Sequence, residues 1–205
     1  MDFLALGFFT GLSLILAFGA QNIFVMEQGL KKQFVFTVCL ICSISDLLLI
    51  FLGIFLFESF KVYFNDLIAI ILNILLFVFL VYFIFSKIKT DYSNYNLDIS
   101  ISDISFKSII IKTLGFTYLN PHVYSDTVFF LGNFSKNFEL NDKILFGVGA
   151  SISSLIFFFT LGYSSKFLSK YLMEVKIRKV INLIIILFMS SLAIYVLGEI
   201  FKFPI

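Results

Sequence analysis

Long, unbroken apolar blocks limit what this chain can become. Six can be marked off, at about Phe3–Met26, Phe34–Phe57, Leu67–Phe85, Ser108–Leu131, Ile144–Leu161 and Val180–Phe201. A membrane-crossing helix needs about 20 mostly apolar residues, so each block is near the length of one span. A transmembrane β-barrel would instead alternate apolar and polar residues in segments of about ten. The expected class is therefore all-α, a polytopic membrane helical bundle of about six transmembrane helices. Composition agrees, with 60% hydrophobic and 14% charged residues against about a quarter charged in a soluble domain. A net charge of +2 gives no reason to expect nucleic acid as a partner; the lipid bilayer is the expected one.

Residues 1–205 leave room for a single transmembrane domain and no soluble one. The first block follows an acidic Asp2, without a basic leader region or a small-residue cleavage pattern, and is expected to be retained as a span. The long polar stretch from Ser86 to Lys107 divides the chain into a first half, 1–86, a polar linker, 87–107, and a second half, 108–205. Of the 15 basic residues, 11 fall in the connections after the first, third and fifth blocks or beside them. The positive-inside rule places that side, linker included, in the cytoplasm. Six full spans then leave both termini outside, whereas five would move one of them. The basic run Lys166 to Lys179 is placed to meet anionic headgroups.

Two blocks carry polar, helix-weakening clusters near their middles: Gly19-Ala20-Gln21-Asn22 in the first and Asn120-Pro121-His122 in the fourth. Proline lacks an amide hydrogen and clashes with the preceding turn, so Pro121 should break its helix. Broken backbone at membrane depth survives only when buried in protein or lining a wet cavity. Each cluster lies in the first span of a three-span half. A 3+3 repeat would be inverted across the membrane, and paired interruptions of this kind point to a transporter binding site. Kinks that only assist packing are the competing reading.

Asp46 stands at the centre of the second block, and Asp126 follows Pro121 by five residues. A carboxylate at the centre of a membrane helix costs about 2.5–3.5 kcal/mol on insertion scales, so both should face the interior. Neither has a basic residue close by in its own block. The missing cation would then come from outside, as a cationic substrate, a metal ion or a proton. Burial favours the protonated form of a carboxyl group and an arriving cation favours the ionised form; competition between the two is a simple coupling device. A protonated acid that only ties helices together is the other reading, and for Asp126 a position near the interface is a further one.

Other signals are weaker. Cys39 and Cys42 have CxxC spacing but lie inside an apolar block, where small buried thiols are the expected reading. His122 could relay protons or satisfy backbone at the break. Asn73 and Asn182 suit interhelical hydrogen bonding. No phosphate loop, zinc-ligand cluster or nucleophile elbow is present, so neither an enzyme nor a cofactor is expected.

At these residues the chain resembles the L-lysine/L-arginine exporter (LysE/ArgO) family of bacterial inner-membrane amino-acid transporters. The likeness covers nearly the whole length. It is carried by Phe18-Gly19-Ala20-Gln21-Asn22-Ile23-Phe24-Val25-Met26 with Gln28-Gly29, and by Cys42-Ser43-Ile44-Ser45-Asp46-Leu47. Thr117 to Tyr124, Asp126 to Gly132 and Ile181-Asn182-Leu183 extend it. The family usually shows Gly-Pro-Gln-Asn in the first span, where this chain has Ala20; the first break must rest on Gly19 and the amide side chains. The resemblance implies a multi-pass protein of the inner membrane that exports arginine or lysine, driven by the proton gradient. On this reading Asp46 and Asp126 bind the substrate's positive groups or exchange them for protons. Gln21, Asn22, Asn120 and His122 would hold its α-amino and carboxylate ends, with Gly19 and Pro121 as the helix breaks. The rival readings are export of a different amino acid or a small cation, a membrane redox protein using Cys39 and Cys42, and an assembly subunit. Homo-oligomerisation stays open.

Overall fold

The computed structural model describes residues 2–16, 19–63, 66–88, 105–169 and 175–202. Most of the linker, the centre of the basic run at 170–174 and residues 17–18 lie outside the described residues. Every regular element described is helical: α1 (Phe3–Ile15), α2 (Ala20–Lys31), α3 (Val35–Tyr63), α4 (Asp66–Ile88), α5 (Phe106–Tyr118), α6 (Pro121–Tyr124), a π-helical turn (Ser125–Phe130), α7 (Leu131–Ser135), α8 (Leu140–Leu168) and α9 (Val175–Lys202).

Three stretches are long and apolar enough to cross a bilayer unaided: Val35–Phe57 in α3, Leu140–Leu168 and Lys179–Gly198 in α9. The helices α1 and α2, 13 and 12 residues long, are each about 20 Å or less in length at about 1.5 Å per residue. Neither could cross alone. Together they are long and apolar enough for one span, but they are bent by 83° at the break, as in a broken span or a re-entrant loop. The fourth apolar block is divided into α5, α6, the π-turn and α7, and α4 contributes a shorter apolar stretch, Ile70–Phe85. Large apolar side chains such as Phe36, Phe55, Leu67, Val78, Leu187 and Ile194 stand exposed along the long helices. In water such a surface would associate; in a bilayer it is the lipid face. The protein is a polytopic membrane helical bundle.

The two halves share an order of elements: a 13-residue helix, a break, a second helical stretch and two long helices. Their packing is reciprocal. The broken helix of the first half, α1 with α2, lies on α8; in the second half α5, the π-turn and α7 lie on α3. The long helices α3 and α8 pack on each other, and α4 packs on α9.

Small residues allow the close approaches. A Cβ added at Gly7 would collide with the carbonyl oxygen of Phe146, and one at Gly149 with that of Leu4. At Gly11 it would lie 2.6 Å from Ser153 Oγ. The spacing Gly7-x-x-x-Gly11 therefore sets α1 against α8 backbone to backbone, where dispersion between closely packed helices replaces the hydrophobic drive that lipid does not supply. On the other side of the bundle a Cβ at Gly53 would meet Val128 Cα at 2.6 Å, which holds α3 against the π-turn.

Two apolar clusters result. One gathers Phe24, Val38, Cys39, Leu80, Phe116, Phe158 and Met189; its centre is Phe116, whose ring lies 4.8 Å from that of Phe24 and 5.0 Å from that of Phe83. The other gathers Ile50, Ile54, Leu131, Phe146 and Ala150. Polar side chains sit between the clusters and at the end of α2. Glu27 is buried and forms an ion pair with Lys31 one turn on; the sequence reading, which ended the first block at Met26, passed over it. Asn73 is buried; Asn182 Oδ1 is buried with no hydrogen-bond partner among the described residues, so that oxygen does not form the interhelical bond expected of it.

Candidate functional site

A cavity of about 420 Å³ opens between the two clusters, within the size range of small-molecule sites. It shares Ala20, Leu76, Leu80 and Val196 with one cluster and Ile50, Leu131 and Ala150 with the other. Its polar lining comes from both breaks and the helices that pack on them. Gly19, Gln21, Asn22, Asp46, Asn120, His122 and Asp126 all line it; Pro121, the remaining site residue expected from sequence, does not.

The first break includes Gly19, the break residue expected from sequence. Leu16 closes α1, Gly19 is the residue before α2, and Ala20, Gln21 and Asn22 already form the first turn of α2, where they are buried. Helix resumes at Ala20 because alanine and the amide residues tolerate helical backbone, while Gly19 is extended at φ −120° and ψ 175°. That conformation is open to any residue, so the turn does not depend on glycine. The Asn22 side chain supplies the missing bond instead: Nδ2 donates to the Ile15 carbonyl across the break, at 3.0 Å. Carbonyls at the end of a helix lack intrahelical partners, and in lipid each must find one.

The second break is built alike. Pro121 stands at the first position of α6, where its missing amide costs nothing. Asn120 Oδ1 accepts from the His122 backbone N–H at 3.1 Å. Tyr124 OH donates to the Tyr118 carbonyl at 2.9 Å, which satisfies the end of α5 as Asn22 does the end of α1. Beyond Tyr124 the chain does not resume ordinary α-helix. It widens into the π-turn that carries Asp126 and Thr127 into the cavity lining, with Thr127 Oγ1 donating to the Val123 carbonyl at 2.6 Å. Single π-turns are frequent at functional sites. The two breaks face each other, since a Cβ on Gly19 would lie 4.0 Å from Asn120 Nδ2.

Asp46 is buried in the middle of α3, and Ser154 Oγ donates to its Oδ2 at 2.7 Å from α8. Its neighbour Ser43 does not serve it, since that hydroxyl donates to the Cys39 carbonyl at 2.8 Å. No lysine or arginine forms an ion pair with Asp46 or Asp126 among the described residues; the pair that is formed is Glu27–Lys31. The two aspartates lie within electrostatic reach of each other. Gln21 is buried, with its side chain beside Cys42 of α3. His122 sets its ring against Tyr195 of α9, with centroids 5.6 Å apart.

Ser153, Ser154, Thr127 and Tyr195 line the cavity but were not picked out from sequence. A signal was available for two of them, because Ser151-Ile152-Ser153-Ser154 clusters hydroxyls in the middle of an apolar block. Cys39 and Cys42 are buried free thiols that do not themselves line the cavity, Cys42 lying beside the lining residue Gln21 and Cys39 Sγ donating to the Phe158 carbonyl at 3.2 Å. Among the described residues no three His, Cys, Asp or Glu side chains converge as metal ligands.

The chain is similar to curated proteins over most of its length. It is 34% identical over 184 residues to the arginine exporter protein ArgO of Klebsiella pneumoniae (strain 342), covering 87% of this chain and 85% of that one. It is 33% identical, with the same coverage, to the arginine exporter proteins ArgO of Salmonella paratyphi C (strain RKS4594) and Shigella flexneri. No solved structure matches it. The profile of the LysE type translocator family matches residues 12–199, and the chain belongs to that family.

Proposed function

We propose that this protein is a secondary active exporter of a basic amino acid, arginine foremost, across the bacterial inner membrane, coupled to the proton gradient. The observation that carries the proposal is one central cavity holding two carboxylates, Asp46 and Asp126, with amide groups from two facing helix breaks and, among the described residues, no ion-paired cation. An amino acid with a cationic side chain complements that lining. Its side chain and α-amino group would pair with the carboxylates. Its carboxylate would lie at the start of α2, where Gly19 gives the first turn no side-chain cap and the helix end carries partial positive charge. Gln21, Asn22, Asn120 and His122 would complete the contacts. The arginine exporters among the relatives support the substrate class.

In this reading the six apolar blocks are six spans, and the side rich in Lys and Arg is cytoplasmic. The halves are inverted repeats that move about the shared site, and the reciprocal packing of the broken helices on α8 and α3 supports that relation. A proton that displaces the substrate's cation from a carboxylate, and is displaced by it, gives the coupling.

The test is expression in a host sensitive to a toxic arginine analogue, with efflux of labelled arginine and lysine measured in parallel. The reading predicts resistance and faster efflux, both abolished by an uncoupler. Efflux equal to that of the empty host at confirmed membrane expression would contradict it.

A further inference from the structure

The chain has 30 Phe, yet among the described residues none lines the cavity, and Tyr195 is the one Phe or Tyr ring that does. Tyr195 lines the cavity from α9 and is half-exposed. Its ring lies 5.6 Å from that of His122 at an interplanar angle of 31°. His122 precedes Asp126 by four residues and is within electrostatic reach of it. One corner of the cavity therefore brings together an aromatic face, an imidazole and a carboxylate.

We propose that Tyr195 is a specificity-determining residue, whose ring face receives the planar cationic group of the substrate while Asp126 takes its edge, so that the site prefers a guanidinium to an ammonium ion. The assignment rests on the basic-amino-acid reading above and goes beyond it by separating arginine from lysine. A guanidinium group is flat and weakly hydrated; it can lie on an aromatic face and still donate in its plane to a carboxylate. A compact ammonium ion is strongly hydrated and gains less from that face. Asp46, held by Ser154 at 2.7 Å, remains for the other positive group or the proton.

The test compares competitive efflux of labelled arginine and lysine by the wild-type protein, Tyr195→Phe and Tyr195→Leu. The ratio of the two substrates is independent of protein level. The ring-face assignment predicts a wild-type ratio in favour of arginine, little change with Tyr195→Phe, and a loss of preference of about tenfold with Tyr195→Leu. A Tyr195→Leu variant that keeps the wild-type ratio overturns the assignment and leaves the basic-amino-acid reading standing. So does a Tyr195→Phe variant as impaired as Tyr195→Leu, since the hydroxyl and not the ring would then matter. A wild-type protein that moves neither substrate overturns both.

Discussion

Ser154 Oγ donates to Asp46 Oδ2 at 2.7 Å and so joins the middle of α8 to the middle of α3. It is the hydrogen bond that orients a carboxylate of the cavity. A bond to a charged group contributes about 1.5–3 kcal/mol. Ser154→Ala is expected to weaken substrate binding about tenfold or more, read as a raised apparent KM for efflux, with Ser154→Thr close to wild type. An unchanged KM in the alanine variant would mean that Asp46 does not depend on this partner.

The contact between α1 and α8 requires the absence of side chains at Gly7 and Gly149, because a Cβ at either would run into the backbone of the facing helix. Overpacking costs about 1–3 kcal/mol even where side chains can adjust, and backbone cannot. Gly7→Val and Gly149→Val should therefore fail to accumulate in membranes or lose thermal stability sharply. Gly198 is the internal control, with nothing within 4 Å of an added Cβ; Gly198→Ala should match wild type in level and melting temperature. Equal stability of all three variants would refute the packing account.

Each helix break has its carbonyl end satisfied by a side chain from beyond it, Asn22 for Ile15 and Tyr124 for Tyr118. Removing such a bond costs about 1–3 kcal/mol when the acceptor is left unsatisfied. Asn22→Ala and Tyr124→Phe should each lower the melting temperature of detergent-purified protein. Gly19→Ala should lower it less than either, since Gly19 is extended and its nearest contact would be 4.0 Å away. A Gly19→Ala variant more damaged than Asn22→Ala would show that the turn needs glycine after all.

These cases also mark what could be read from the sequence. The bundle, the two breaks and the cavity carboxylates were legible because the bilayer penalises polar groups and open backbone. Asp46 and Asn120 had to face inward, and they do. Ser154 was not legible, because a serine can return its hydroxyl to its own helix, as Ser151 and Ser153 do. Tyr195 lies near the end of an apolar block, where tyrosine ordinarily marks the membrane interface; only the fold shows it turned to the cavity. The π-turn at Ser125–Phe130 has no compositional signature, and neither does the close packing of Gly7 and Gly149, since glycine is common in membrane helices.

The central claim is that Asp46 and Asp126 receive the substrate's positive charge or trade it for protons. Efflux of labelled arginine from cells carrying Asp46→Asn or Asp126→Asn, at membrane levels matched to wild type, tests it most directly. Asparagine keeps the size and hydrogen-bonding capacity of aspartate and removes only the charge. The account predicts that efflux falls to the background of cells without the protein in at least one of the two variants. Wild-type efflux by both would contradict it.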